Sequence, residues 1–311
     1  MVTLKKVEQA RERIAGYLPP TMLEPALGLG ENVWVKLENA NRTHSFKIRG
    51  ALNAVLSLDE KTRARGIVTA SSGNHAQGVA YAAHLVGVSA KIIMPAHTPK
   101  RKVDGVRLYG AIPVLDCANY DDAELKARRL ERDEGLTFVS PYNDPMIVAG
   151  AGTIGLEIVE QLPQVERVLV PVGGGGLISG VGLAVKARKP DVEVIGVNAL
   201  SAPSMHNEFY GTQYTENWET LAEALSGWIE EGSITVDLVK QNVDQIVLVT
   251  EDHIANAMRW MIDEQGWIVE GGGAVGVAAM LRGIIKADKR PTVIVISGGN
   301  VDGETLRRVL G

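Results

Sequence analysis

Short apolar stretches alternate with helix-period stretches from Gly66 to Pro141, and the alternation restarts at Pro145 and runs on to Ser297. That repeat constrains the fold more than any other feature of the chain. Strand, helix and strand in one sheet are joined almost always by a right-handed crossover, and the unit repeated gives a parallel sheet covered by helices. The first series has expected strands at 67–70, 90–95, 111–116 and 137–140, with helical runs starting near Gly73, Pro99 and Asp121. The second has strands at 167–172, 192–198, 245–249 and 292–297. A chain of 311 residues is long enough for two such units. Two α/β lobes in one chain suggest a cleft that can hold a small molecule.

The remaining segments narrow the class. Residues 1–18 place Leu4, Val7, Ile14 and Leu18 at helical spacing with charges between them, which describes an amphipathic helix and not a signal peptide. Pro19-Pro20 stops that helix, and 32–39 reads as a further strand. Residues 205–218, rich in Asn, Thr and Tyr, read as a surface loop. A net charge of -5 argues against a nucleic-acid surface, and Lys100-Arg101-Lys102 is only a short solvated face. Cys117 is the single cysteine, so neither an internal disulfide framework nor a cysteine-built metal site is expected. No apolar run reaches the roughly 20 residues that span a bilayer. The expected location is therefore cytoplasmic, without a membrane partner.

Four stretches carry candidate chemistry. In Ser45-Phe46-Lys47-Ile48-Arg49-Gly50-Ala51 a lysine stands at a strand-to-helix junction, where partial burial lowers an ammonium pKa and makes Lys47 a candidate Schiff-base former. Gly173, Gly174, Gly175 and Gly176 follow an apolar strand and precede the helical run 177–188. Their N–H groups and the helix start suit a phosphate. Leu177 follows where a nucleotide P-loop needs Lys, which excludes that reading. Two matches to G-x-G-x-x-G, Gly150-Gly152-Gly155 and Gly271-Gly273-Gly276, lack the acidic residue that ends the next strand in a dinucleotide fold. Ser71-Ser72-Gly73-Asn74-His75 lies between strand and helix. It offers N–H groups and hydroxyls to a substrate carboxylate, unless Ser72 or Asn74 simply caps the helix. Ser297 ends a strand, where its hydroxyl can face a pyridine nitrogen without supplying a full negative charge.

These stretches, with Ser297-Gly298-Gly299-Asn300 as the fourth, resemble in order and along nearly the whole chain the fold-type-II pyridoxal-phosphate enzymes of the threonine/serine dehydratase and serine racemase family. The resemblance implies an α/β fold of tryptophan synthase β type: two parallel-sheet domains with pyridoxal 5'-phosphate in the cleft between them. A small domain at 67–144 is expected within a large one made of 1–66 and 145–311. The cofactor-binding residues implied are Phe46, Lys47, Asn74, Gly173, Gly174, Gly175, Gly176, Leu177 and Ser297. Ser71, Ser72, Gly73, Asn74 and His75 are implied for the substrate, with Lys47 and Ser72 catalytic. In racemases of the family a serine at the position of Ser72 returns a proton on the face opposite the lysine.

The activity implied is β-elimination from a β-hydroxy amino acid such as L-threonine or L-serine, giving a 2-oxo acid and ammonia, by a homodimer or homotetramer. A serine or hydroxyaspartate racemase is the nearest alternative; a β-replacement enzyme and a non-catalytic cofactor-binding protein stand further off. Departures from the family pattern are His44 for glycine, Ala151 for glutamine, and Leu221-Ala222-Glu223-Ala224 for the commoner Ala-Asp-Gly version. Asn198 and Ser204 stand where many members carry metal-binding carboxylates, and no metal is expected. The chain ends shortly after Ser297, at Gly311, so the C-terminal regulatory domain of biosynthetic threonine deaminases is not expected either.

Overall fold

The computed structural model describes residues 1–311, the side chain of Leu27 excepted. In chain order it opens with α1 (Leu4–Ile14), β1 (Leu23–Pro25), β2 (Val33–Leu37), α2 (Lys47–Ser57) and α3 (Glu60–Arg65). There follow β3 (Ile67–Ala70), α4 (Asn74–Val86), β4 (Ala90–Pro95), α5 (Lys100–Leu108), β5 (Ile112–Cys117), α6 (Tyr120–Glu134) and β6 (Thr137–Phe138). The chain continues through α7 (Pro145–Gln161), β7 (Arg167–Pro171), α8 (Gly176–Arg188), β8 (Glu193–Ala199), α9 (Ser204–Tyr210) and α10 (Ile234–Asn242). It ends with β9 (Gln245–Val249), α11 (Glu251–Asp263), α12 (Gly271–Leu281), β10 (Thr292–Ile296) and α13 (Gly303–Leu310). Contacts divide it into two compact units, Met1–Pro19 with Lys47–Gly150 and Pro20–Phe46 with Ala151–Gly311.

The first unit is built on a four-stranded parallel sheet in the order β5-β4-β3-β6. Its packing draws the boundary differently from the expected 67–144. Ile48, Ala51, Leu52 and Val55 of α2 share one core with Ala76, Val79 and Ala83 of α4 and with Ile14 and Leu18. An apolar helix face goes with whatever buries it, so 1–19 and the segment from Lys47 onward belong with the smaller sheet. A Cβ added at Gly78 would stand 3.1 Å from the carbonyl carbon of Lys47. That glycine lets α4 lie against the first residue of α2.

The second unit carries a six-stranded sheet in the order β1-β2-β10-β7-β8-β9. All neighbours are parallel except β1, an antiparallel edge strand paired with β2. Its three residues show no alternation to read in the sequence, and Pro25 is tolerated because an edge strand need not donate on both sides. The expected loop at 205–218 contains α9. Met205 is 1 % exposed and anchors that turn in the core, while His206 lies between the rings of Tyr210 and Tyr214 at 4.8 and 5.4 Å. Tertiary burial overrides the weak helix preference of Asn and Tyr there. Both G-x-G-x-x-G matches lie inside helices, α7 and α12, and not on a strand-to-helix turn. At Gly273 and Gly276 an added Cβ would come within 2.5 Å of Gly298 O and of Ile294 Cγ2. Those glycines serve close packing, so the dinucleotide reading is set aside.

Candidate active site

In the first unit, Lys47 opens α2, is half-buried, and its Nζ donates to Pro141 O at 2.8 Å. The Ser71–His75 turn follows β3 and leads into α4. Ser71 N–H donates to Ile93 O at 3.1 Å, and Gly73 N–H to Ser71 Oγ at 3.2 Å. Neither Ser72 nor Asn74 caps the helix: the N-cap is Gly73, without a side-chain hydrogen bond, and the first turn carries no acidic residue. A helix start left this way keeps N–H donors and partial positive charge for an anion. Asn74 and His75 are 9 % and 3 % exposed.

His75 Nε2 donates to Val139 O at 3.0 Å, since a carbonyl can only accept, and Nδ1 is buried without a hydrogen-bond partner among the described residues. Burial pushes its pKa from 6.5 down to about 3; the charge of Lys47 adds to the fall, and the Val139 carbonyl opposes it. His75 is therefore neutral in the folded chain near neutral pH and supplies no charge to the site. Between pH 6.5 and about 3 the unfolded chain binds a proton here that the folded chain does not. Stability present above that window is lost as pH falls through it, by up to about 1.4 kcal/mol per pH unit. Urea unfolding near pH 7 and near pH 5 checks this: the native chain loses about 2 kcal/mol more than His75→Gln between the two. Equal losses would mean that His75 charges freely in the fold.

In the second unit, Ser297 follows β10, is 4 % exposed, and its carbonyl accepts Phe46 N–H at 3.0 Å. Ser45 bridges to Gly298, Gly299 N–H donates to His44 O at 2.9 Å, and Asn300 Nδ2 donates to Thr43 O at 2.8 Å. Residues 43–46 thus run alongside 297–300, and Lys47 is the next residue of the chain. His44 has φ 54, a left-handed conformation that glycine adopts without strain. Phe46 is half-buried and packs against a hydrophobic core cluster of the second unit.

The four glycines join β7 to α8, whose N-cap Gly175 is likewise without a side-chain cap and whose first turn has no acidic residue. Two of them have a second reason to be glycine. A Cβ at Gly173 would meet Leu225 Cα at 2.9 Å, and one at Gly175, where φ is +86°, would meet Met205 Cε at 2.6 Å. Thr235 Oγ1 donates to Gly174 O at 2.7 Å, so Leu225 and Thr235 both lie against this loop. Leu177 is 6 % exposed with its side chain in the core, which leaves only its backbone for an anion.

The Asn198 amide donates to Val172 O at 2.7 Å and Ala202 O at 2.9 Å, and Ser204 Oγ donates to Glu216 Oε2 at 3.0 Å. Among the described residues no group of three or more His, Cys, Asp or Glu is placed to hold a metal ion. Sequence reasoning missed a buried ionic group centred on Lys36. Lys36 Nζ on β2 donates to Glu157 Oε2 (2.5 Å), Thr21 O (2.8 Å) and Gln161 Oε1 (2.9 Å). Thr21 Oγ1 donates in turn to Glu38 Oε1 at 2.6 Å, and Asn41 Nδ2 to Glu38 Oε2 at 2.8 Å. The only signal was a lysine within an otherwise apolar strand.

The profile of the pyridoxal-phosphate dependent enzyme family matches residues 15–298. The chain belongs to that family. It is 43 % identical to an L-threonine ammonia-lyase of Thermotoga maritima, over 100 % of this chain and 78 % of that one. It is 38 % identical to the catabolic L-threonine dehydratase TdcB of Escherichia coli K12, over 100 % and 96 %. Among solved structures, maize serine racemase superposes with a TM-score of 0.92 at 32 % identity, covering 99 % of this chain and 97 % of the other. The fold is that of the fold-type-II members, α/β with parallel-sheet domains.

Family members depend on pyridoxal phosphate, and the residues present fit that group. A half-buried lysine amine can be the covalent tether, an uncapped helix start after Gly173–Gly176 can take a phosphate, and a buried hydroxyl can meet a ring nitrogen.

Proposed function

We propose that this chain is a pyridoxal-phosphate-dependent ammonia-lyase that removes water and ammonia from a β-hydroxy amino acid such as L-threonine or L-serine, leaving a 2-oxo acid. One observation carries the proposal. Lys47, with its amine held by a carbonyl, shares a unit with the uncapped start of α4, in a chain whose full length matches threonine ammonia-lyases.

When bound, pyridoxal phosphate supplies an electron-withdrawing ring that makes the α-proton of an attached amino acid removable. In this reading Lys47 would be the tether of the cofactor and the base that takes the α-proton. The N–H groups of Gly173, Gly174, Gly175, Gly176 and Leu177 hold the phosphate, and Ser297 Oγ meets the ring nitrogen as a neutral partner. Phe46 flanks the site by its place in the chain, and Asn74 holds the ring hydroxyl. Ser71, Ser72, Gly73, Asn74 and His75 hold the substrate carboxylate with the N–H groups of their turn. The proposal extends to a cytoplasmic homo-oligomer with a small-molecule amino acid as its partner.

Racemisation is the second reading, favoured by Ser72 and by the likeness to maize serine racemase. A panel of L-threonine, L-serine, 3-hydroxyaspartate and phenylserine separates the two, read by 2-oxo acid release and by chirality of the recovered amino acid. Release of 2-oxo acid with unchanged chirality is expected; a racemised substrate without 2-oxo acid would overturn the lyase.

A further inference from the structure

We infer that the Pro141 carbonyl is a built seat for the Lys47 amine, accepting from its ammonium after the amine has taken the substrate α-proton, and that Thr69 is the positioning residue that sets this carbonyl. The inference rests on Lys47 being the cofactor lysine. The contact itself is Lys47 Nζ donating to Pro141 O at 2.8 Å. A carbonyl oxygen has no proton to give, so this hydrogen bond favours the charged amine over the neutral one.

The seat is fixed from both sides. Two residues upstream, Val139 N–H donates to Val68 O at 2.9 Å, while Val139 O accepts from Thr69 Oγ1 at 2.7 Å and His75 Nε2 at 3.0 Å. Those two donors use both lone pairs of that oxygen. Downstream, Ser140 Oγ accepts from Asn143 N–H at 3.0 Å and Tyr142 N–H at 3.4 Å, closing the turn around Pro141. The proline ring holds its own φ. Thr69 is 0 % exposed on β3, the strand that also leads into Ser71–His75. One strand thus aims the substrate-carboxylate turn and, through Val139, the lysine seat.

In the proton transfer the lone pair of Lys47 Nζ forms a new N–H bond as the substrate Cα–H bond breaks, and the electron pair of that bond stays with the substrate. The product ammonium carries one more N–H than the amine, and Pro141 O is placed to accept it. His75, the titratable side chain whose interaction with Lys47 is resolved, stays neutral and does not compete for the proton.

Two readouts test the seat. In the full chain freed of cofactor, the rate at which acetic anhydride acetylates Lys47 at fixed pH near 8, read by peptide mass spectrometry, reports its uncharged fraction. In the holoenzyme, the α-deuterium isotope effect on kcat/KM with L-threonine reports proton removal. Thr69→Val is expected to raise Lys47 acetylation by up to about tenfold, the equivalent of one pKa unit, and to increase the isotope effect; Thr69→Ser, which keeps the hydroxyl, restores both. His75→Leu, which removes the other donor to Val139 O, moves both in the same direction and serves if Thr69→Val does not fold. Acetylation and isotope effect unchanged in Thr69→Val and His75→Leu, or shifted equally in Thr69→Ser, would overturn the inference. The labelling arm needs no bound cofactor, so its failure is distinguishable from failure of the lyase reading.

Discussion

Lys47→Ala is expected to leave a folded chain that binds pyridoxal phosphate without the visible absorbance of a lysine linkage and turns over L-threonine at least about a thousandfold more slowly. The magnitude follows from losing tether and base together, since a positioned general base alone contributes about 10²- to 10⁴-fold. The fold is expected to survive because Lys47 is only half-buried at the start of α2, whose apolar face, Ile48, Ala51, Leu52 and Val55, is untouched. Circular dichroism and thermal unfolding check the fold, and continuous 2-oxo acid release checks the rate. Native turnover in this variant would remove Lys47 from the mechanism.

The second large effect is on stability. Glu157→Ala is expected to cost about 3–5 kcal/mol, because it removes the carboxylate that stands 2.5 Å from the Lys36 ammonium, a charge that is 0 % exposed. It also removes the acceptor of Thr21 N–H at 3.1 Å. Replacing both charges, as Lys36→Met with Glu157→Leu, is expected to recover most of the loss, since a buried pair exchanged for apolar side chains is often near neutral. Urea unfolding of the three variants measures this; a loss below about 1 kcal/mol for Glu157→Ala would show that the pair is not paying a desolvation cost. Lys36 is the last residue but one of the buried strand β2, and Glu38 and Asn41 follow it in the segment that leads to Lys47. Activity is therefore expected to fall with stability in Glu157→Ala and to return in the double variant.

Much of this architecture was legible because it is written in periods the chain repeats. Strands 67–70, 90–95 and 245–249 match the observed β3, β4 and β9 in full, since buried parallel strands are short apolar runs bounded by turns. The helix starts after Gly73 and Gly175 were legible for the same reason that they suit anions: glycine stands at each N-cap, where a capping side chain would otherwise be. What escaped was non-local. Nothing near Lys36 in the sequence announces Glu157, 121 residues away, nor does β1 show its pairing with β2. The second reason for Gly173 and Gly175 lies in Leu225 and Met205, which only the folded chain brings to them. The boundary at 67–144 came from the family resemblance, whereas contacts group Lys47 with the first unit, because α2 goes with the helix that covers its apolar face.

Borohydride reduction of the pyridoxal-phosphate-loaded chain, followed by protease digestion and peptide mass spectrometry, puts the central assignment to the most direct trial. The account predicts one reduced pyridoxyl adduct, on the peptide that contains Lys47, and none when L-threonine is bound in excess before reduction. An adduct on a different lysine, or none on the loaded chain, would contradict it.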